Sequence, residues 1–136
     1  MYVDASALVA IIIQESDADE MSRAIRASRT GRITSPIAIY EATVGVARVL
    51  ACGVPRARQL VVGLLQAASI DVAAVGERHA DAALAAFARF GRGQHPAKLN
   101  MGDCFGYAVA SEAALPILFK GDHFSQTDLP SALSAS

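Results

Sequence analysis

Four acidic residues of this chain stand among apolar neighbours: Asp4 in "MYVDASALVAI", Glu41 in "SPIAIYEATVGVARVL", Asp103 in "LNMGDCFGYAVA" and Asp122 in "LPILFKGD". Most of the other acids lie in plainly polar surroundings. Glu41 is the only acid between Met21 and Ile70, a stretch that holds seven arginines. A carboxylate buried without a partner costs several kcal/mol, so Glu41 requires a counter-charge, and either an arginine such as Arg48 or a bound cation supplies one. The other three each have a purely structural reading as well. An aspartate at a helix start is worth about 1 kcal/mol as a cap and in the helix dipole, which covers Asp4 and Asp103. Asp122 is also the natural second residue of a Gly-Asp turn.

Taken together, the four point further. Asp4 and Asp122 each follow an expected parallel strand, which puts both at the rim of the sheet beyond the carboxyl ends of the strands, where ligands bind in such folds. Glu41 and Asp103 lie on helices that adjoin this rim. Two carboxylates about 4 Å apart at an effective dielectric near 20 repel by roughly 4 kcal/mol, and a divalent ion removes that conflict. With oxygen ligands only, and no histidine or cysteine at matching positions, the set suits Mg²⁺ or Mn²⁺ better than zinc. An ion of that kind lowers the pKa of a bound water and stabilises a leaving oxygen, so phosphodiester hydrolysis is the natural reaction class.

The elements that must position these acids alternate strand and helix. "MYVD" reads as a buried strand ending at Asp4, and "ASALVAIII" as the first helix. "ESDADEMSRAIRAS" begins a second helix as a solvated acidic cluster, with Asp17 and Glu20 at capping-box spacing. A short strand then leads through Ser35 and Pro36 into a long apolar helix closed by Gly53, and "VPRARQLVVGLLQAA" forms another. "SIDVAAV" resembles a strand, "GERHADAALAAFARFG" an amphipathic helix and "RGQHPAKLNMG" a basic loop. Asp103 starts a helix running through Ala114, and "LPILFKGD" is a last apolar strand. The expected fold is α/β with three layers, a central mainly parallel sheet covered by helices on both faces. Residues 1–136 are expected to form a single domain whose tail frays from about residue 129.

Composition narrows the function classes. The 136 residues are 53% hydrophobic and 18% charged, with a net charge of −1, so bulk positive charge cannot hold a nucleic acid and any phosphate binding must be local. Cys52 and Cys104 lack ligand-like spacing and read as buried free thiols of a reducing, cytoplasmic compartment. The apolar run from Leu8 to Ile13 is too short to span a bilayer, and no export or membrane segment is expected.

On these residues the chain resembles the PIN-domain ribonucleases, and within them the VapC toxins of bacterial toxin-antitoxin pairs. "MYVDASALVAI" is similar to the family's first strand with Asp4 and the small hydroxyl residue Ser6. "SPIAIYEATVGVARVL" is similar to its acid-bearing helix, "LNMGDCFGYAVA" to its second acidic helix start, and "ILFKGDHFSQTDL" to its last strand with Gly, Asp and Phe. Many relatives carry two acids close together in this last stretch, whereas here His123 follows Asp122 and the next acid is Asp128. The resemblance implies a PIN-like fold and a Mg²⁺- or Mn²⁺-dependent endoribonuclease toxin. Asp4, Asp103 and Asp122 would hold the ion directly or through water, Glu41 would position a water or complete the acidic pocket, and Ser6 would support Asp4. It also implies a cognate antitoxin of the VapB type, whose C-terminal segment occupies the groove beside the acids, and a homodimer.

Arg89, Arg92 and Lys98 lie in an acid-free segment from Phe87 to Gly102 and are candidates to guide RNA phosphates towards the acids. Solvation of a basic loop explains the same residues. His95 and His123 are candidates for proton transfer, or incidental loop histidines. The long apolar helices from Pro36 to Leu65 fit either a dimer or antitoxin interface or a thick core. Two other functions fit an acidic rim on a parallel sheet. One is a Mg²⁺-binding phospho-acceptor receiver, which expects paired early acids and an Asp after a central strand. The other is a catalytically inactive PIN-like binding module.

Overall fold

A computed structural model of the chain describes residues 1–133. Four short parallel strands, β1 (Tyr2–Val3), β2 (Ile33–Thr34), β3 (Asp71–Val72) and β4 (Ile117–Leu118), pair in the order β3-β2-β1-β4. Six helices connect them: α1 (Ala5–Ile12), α2 (Ala18–Ala27), α3 (Pro36–Leu50), α4 (Val54–Ala67), α5 (Glu77–Phe90) and α6 (Met101–Glu112). The alternation of side chains along a strand divides the interior in two. Val3 and Leu118 enter a core built with α1 to α4, while Tyr2 and Ile117 enter a second core built with α5 and α6. All four are at most 1% exposed, as strands covered on both faces must be. The result is the three-layer α/β/α arrangement, and no helix among the described residues is long and apolar enough to cross a membrane.

The carboxyl ends of the central strands are fastened to one another. Asp4 N–H donates to Leu118 O at 3.0 Å, and the buried Thr34 hydroxyl donates to Val3 O at 2.8 Å. Ser35 caps α3 by accepting from Ala38 N–H, and its hydroxyl lies 3.0 Å from that of Tyr2. The launch points of α1 and α3 are thereby fixed side by side.

Several local expectations need correction. α3 ends at Leu50 with Ala51 in the left-handed region (φ 50°), and Gly53 instead precedes α4 as its N-cap. Asp17 makes no capping hydrogen bond, and the acidic cluster is not merely solvated. Glu15 and Asp17 both pair with Lys120, the latter at 3.4 Å, across the space between the α1–α2 turn and the end of β4. The third strand shrinks to Asp71–Val72, both exposed at the sheet edge. α6 begins at Met101 with Asn100 as its cap, so Asp103 is its third residue, and the helix ends at Glu112. The tail does not fray at residue 129. Ile117 N–H donates to Pro130 O and Ala132 N–H donates to Ile117 O, which extends pairing beyond β4. Residues 134–136 of that expected tail lie outside the described residues. Both cysteines are free, Cys104 buried and Cys52 only half-buried.

Candidate active site

At the carboxyl rim of the sheet lies a cleft of about 440 Å³ lined by Asp4, Ser6, Glu41, Asn100, Asp103 and Asp122, with the loop from Lys120 to Phe124 closing one wall. All four isolated acids and Ser6 therefore meet in one place. The capping readings hold as well. Asp4 caps α1, with its Oδ2 accepting from both Ser6 N–H (3.0 Å) and Ser6 Oγ–H (2.6 Å). Ser6 Oγ in turn accepts from Lys120 N–H at 3.0 Å, so one hydroxyl ties the first acid to the strand end that carries Asp122. Asp103 forms a capping box with Asn100: its Oδ2 accepts from Asn100 N–H at 3.0 Å and its own N–H donates to Asn100 Oδ1 at 2.9 Å. Capping and cleft lining are compatible because a carboxylate has two oxygens and a cap uses one. Asp122 is exposed and follows Gly121, whose φ of +99° a side-chain-bearing residue would adopt only under strain.

Burial, and then neighbouring charge, raises the proton affinity of two of the acids. Asp4, only 6% exposed, has its carboxyl pushed up by burial, with the Asp103 charge adding to the effect and the Ser6 hydrogen bonds opposing it. Glu41 is pushed up to about 7 by partial burial, then by the Asp4 and Asp103 charges. Arg48 does not neutralise it. Among the described residues no cation or hydrogen-bond donor pairs with the Glu41 carboxylate, so the arginine-pair reading of this residue falls.

Glu41 is instead wedged against the backbone of α6. A Cβ added to Gly102 would stand 2.2 Å from both Glu41 carboxylate oxygens, well inside contact distance. Gly102→Ala is therefore expected to push the Glu41 carboxylate, the far end of a flexible side chain, out of its place and to destabilise the fold by about 1 kcal/mol, the low end of overpacking. A Glu41→Ala background should recover most of that loss, because the clashing group is gone. Thermal melts of the two single variants and the double variant check this, and additive losses would contradict the close approach.

The basic guides fare unequally. The Arg89 guanidinium stacks 4.6 Å from the Phe90 ring centre and bonds to Asp128 and the Tyr107 hydroxyl, both at 3.4 Å, so it is engaged in holding α5 to the chain's end. Asp128 also accepts from Tyr107 Oη–H at 2.5 Å and does not line the cleft, which gives it a structural position. Arg92 and Lys98 remain exposed on a loop pinned at its base by Leu99 N–H to Phe90 O (3.0 Å). Two further residues of the β4 loop, His123 and Lys120, line the cleft. His123 Nδ1 lies 2.8 Å from Asp103 Oδ2, and Lys120 forms part of the wall. Their adjacency to Asp122 in "FKGDHF" was the available signal. Asn100 and Gly102 were legible only as neighbours of Asp103.

The donor set is compatible with a hard cation. It consists of carboxylate oxygens, and the part of the Asp4 and Glu41 elevation that comes after burial, from the Asp103 charge on both and the Asp4 charge on Glu41, is the repulsion that a cation relieves. Among the described residues no three His, Cys, Asp or Glu side chains already converge tightly enough to hold an ion directly. Water would complete the shell, which is the usual habit of Mg²⁺.

A parallel α/β sandwich with an acid-lined cleft at the carboxyl rim is the architecture of PIN domains, and the family model described as the PIN domain matches residues 1–129. The chain belongs to this family, and within it to the VapC ribonucleases. It is 40% identical over 129 residues to ribonuclease VapC30 of Mycobacterium tuberculosis, covering 95% of each chain. It is also 40% identical over 129 residues to ribonuclease VapC of Mycolicibacterium smegmatis, covering 95% of this chain and 97% of the relative. Among solved structures it is similar to M. tuberculosis VapC20, a sarcin-ricin loop cleaving toxin, with a TM-score of 0.76 at 16% identity over 94% of this chain and 95% of that one. Membership in the PIN family removes the receiver-domain reading.

Proposed function

We propose that the protein is a Mg²⁺- or Mn²⁺-dependent endoribonuclease toxin that hydrolyses RNA phosphodiester bonds in the cytoplasm and is silenced by a cognate antitoxin of the VapB type. The observation that carries this reading is the convergence of Asp4, Glu41, Asp103 and Asp122 on one cleft in a chain of the VapC family. Asp4, Asp103 and Asp122 would hold the ion, partly through water, and Ser6 fixes the orientation of Asp4. When bound, the ion supplies Lewis acidity to the phosphodiester and acidifies a water. Glu41, which lines the cleft beside Asp4 and Asp103 and has no other partner among the described residues, is placed to take a proton from the attacking water. Arg92 and Lys98 would contact RNA phosphates on the approach to the cleft, while Arg89 keeps its tether to Asp128.

Exposed apolar side chains gather in two surface patches outside the cleft. Tyr40 (72% exposed) and Val54 (56%) line one with Ile39, and Met101 (71%) and Leu84 (67%) line another with Phe87. Part of the long α3–α4 surface is thus core and part is left over, which supports a second copy of the chain or the antitoxin as its cover. The decisive experiment incubates the purified toxin with a panel of structured RNAs, with Mg²⁺ or Mn²⁺ and with excess EDTA. Cleavage that persists in EDTA, or no cleavage of any RNA while the chain remains folded and free of antitoxin, would overturn the reading and favour a catalytically inactive binding module.

A further inference from the structure

His123 offers a specific control over the acid on which the cleft depends. Asp103 Oδ2 receives two donors, Asn100 N–H at 3.0 Å and His123 Nδ1 at 2.8 Å. An ionised carboxylate only accepts, so this contact places a proton on Nδ1, whether or not Nε2 carries one as well. The capping bond comes from the same helix end and moves with it. His123 comes from the other wall of the cleft, on the loop that follows β4 and carries Asp122. With Oδ2 held from both sides, Oδ1 is the Asp103 oxygen left without a hydrogen bond among the described residues.

Resting on the metal-site reading above, we propose that His123 is a positioning residue for the metal: its Nδ1–H clamps Asp103 Oδ2, presenting Oδ1 as a single fixed ligand and holding Asp103 and Asp122 at a set separation. A donor of this kind, bonded to the outer side of a ligand, orients it and raises its usefulness, and its loss characteristically weakens metal binding 10- to 100-fold. The clamp also limits Asp103 to one coordinating oxygen. That suits Mg²⁺ and Mn²⁺, with their octahedral demands, better than Ca²⁺, which readily takes both oxygens of a carboxylate.

Mn²⁺ binding to the RNA-free protein, followed by electron paramagnetic resonance of the free ion, tests this without reference to activity. His123→Ala is expected to bind Mn²⁺ roughly 10- to 100-fold more weakly than wild type. His123→Asn, whose amide N–H can stand about where Nδ1 stands, is expected to recover most of the affinity. Since His123 is exposed, circular dichroism should show both variants folded as wild type. His123→Ala binding equal to or tighter than wild type, or His123→Asn as weak as His123→Ala, would overturn the clamp. Absence of Mn²⁺ binding by wild type, or undiminished binding by Asp103→Asn, would instead overturn the metal site itself.

Discussion

Asp103→Asn is expected to lower RNA cleavage by roughly 10³-fold while leaving the fold nearly as stable as before. The two halves of this expectation come from different oxygens of one side chain. The capping half survives, because the amide oxygen of asparagine can still accept from Asn100 N–H, and the backbone N–H of residue 103 still donates to Asn100 Oδ1. The catalytic half does not survive. The substitution removes a full negative charge from a cleft whose proposed task is to hold a divalent ion, and metal assistance is worth several kcal/mol of transition-state stabilisation. At about 1.36 kcal/mol per tenfold in rate, a loss near 4 kcal/mol gives the stated factor. Initial rates at saturating Mn²⁺, paired with thermal melts, measure both halves. A rate within tenfold of wild type would mean that Asp103 is only a cap, and a large fall in melting temperature would mean that capping cannot be separated from chemistry in this residue.

Glu41→Gln is expected to make the metal-free protein more stable at pH 8 by about 1–2 kcal/mol and to leave it unchanged below pH 4.5. In the unfolded chain the Glu41 carboxyl titrates near 4.5, and in the folded chain burial and the Asp4 and Asp103 charges push it up to about 7. Below 4.5 the group is protonated in both states and costs nothing. Between 4.5 and 7 the unfolded chain releases its proton first, so stability falls as pH rises, and above 7 the deficit is constant. The full shift corresponds to about 3.4 kcal/mol, reduced here because Glu41 is only half-buried and solvent screens its charge. Glutamine keeps the shape and removes the titration. Urea melts in EDTA across this pH range test the claim, and parallel curves for wild type and variant would sink it. Added Mn²⁺ should stabilise the wild type most above pH 7, where the acids are ionised and available to bind it.

The same side chains that stabilise helix ends thus serve the cleft through their second oxygens, and the cost of gathering acids adds to the raised proton affinity of Asp4 and Glu41. Glu41 shows how this is achieved locally. Only a glycine at position 102 lets its carboxylate lie against α6. The apolar patches at Tyr40, Val54, Leu84 and Met101 are a second cost, since apolar surface left in water forgoes the free energy that burying it would give.

Some of this was determined by the sequence alone. Strand and helix order, the two-sided burial of "MYVD" and "PILF", and the placement of Asp4 and Asp122 after strands all follow from periodicity and turn chemistry, which are local. So does the isolation of Glu41, the single acid in a long basic stretch. Partners were decided only by the tertiary structure, because a side chain's partner depends on which elements cross near it. Arg89 had no visible reason to turn from RNA to Asp128, 39 positions away, and Lys120 none to reach Glu15 and Asp17. Whether Glu41 faced solvent or Asp4 depended on the rotation of α3 about its axis, which is set by packing against α1 and α6, while Arg48 stays two turns away along the same helix whatever that rotation. The tail from residue 129 reads as loose because its composition is small and polar, yet backbone hydrogen bonds joining Pro130 and Ala132 to Ile117 hold that part of it, and backbone bonding carries no signature in side chains.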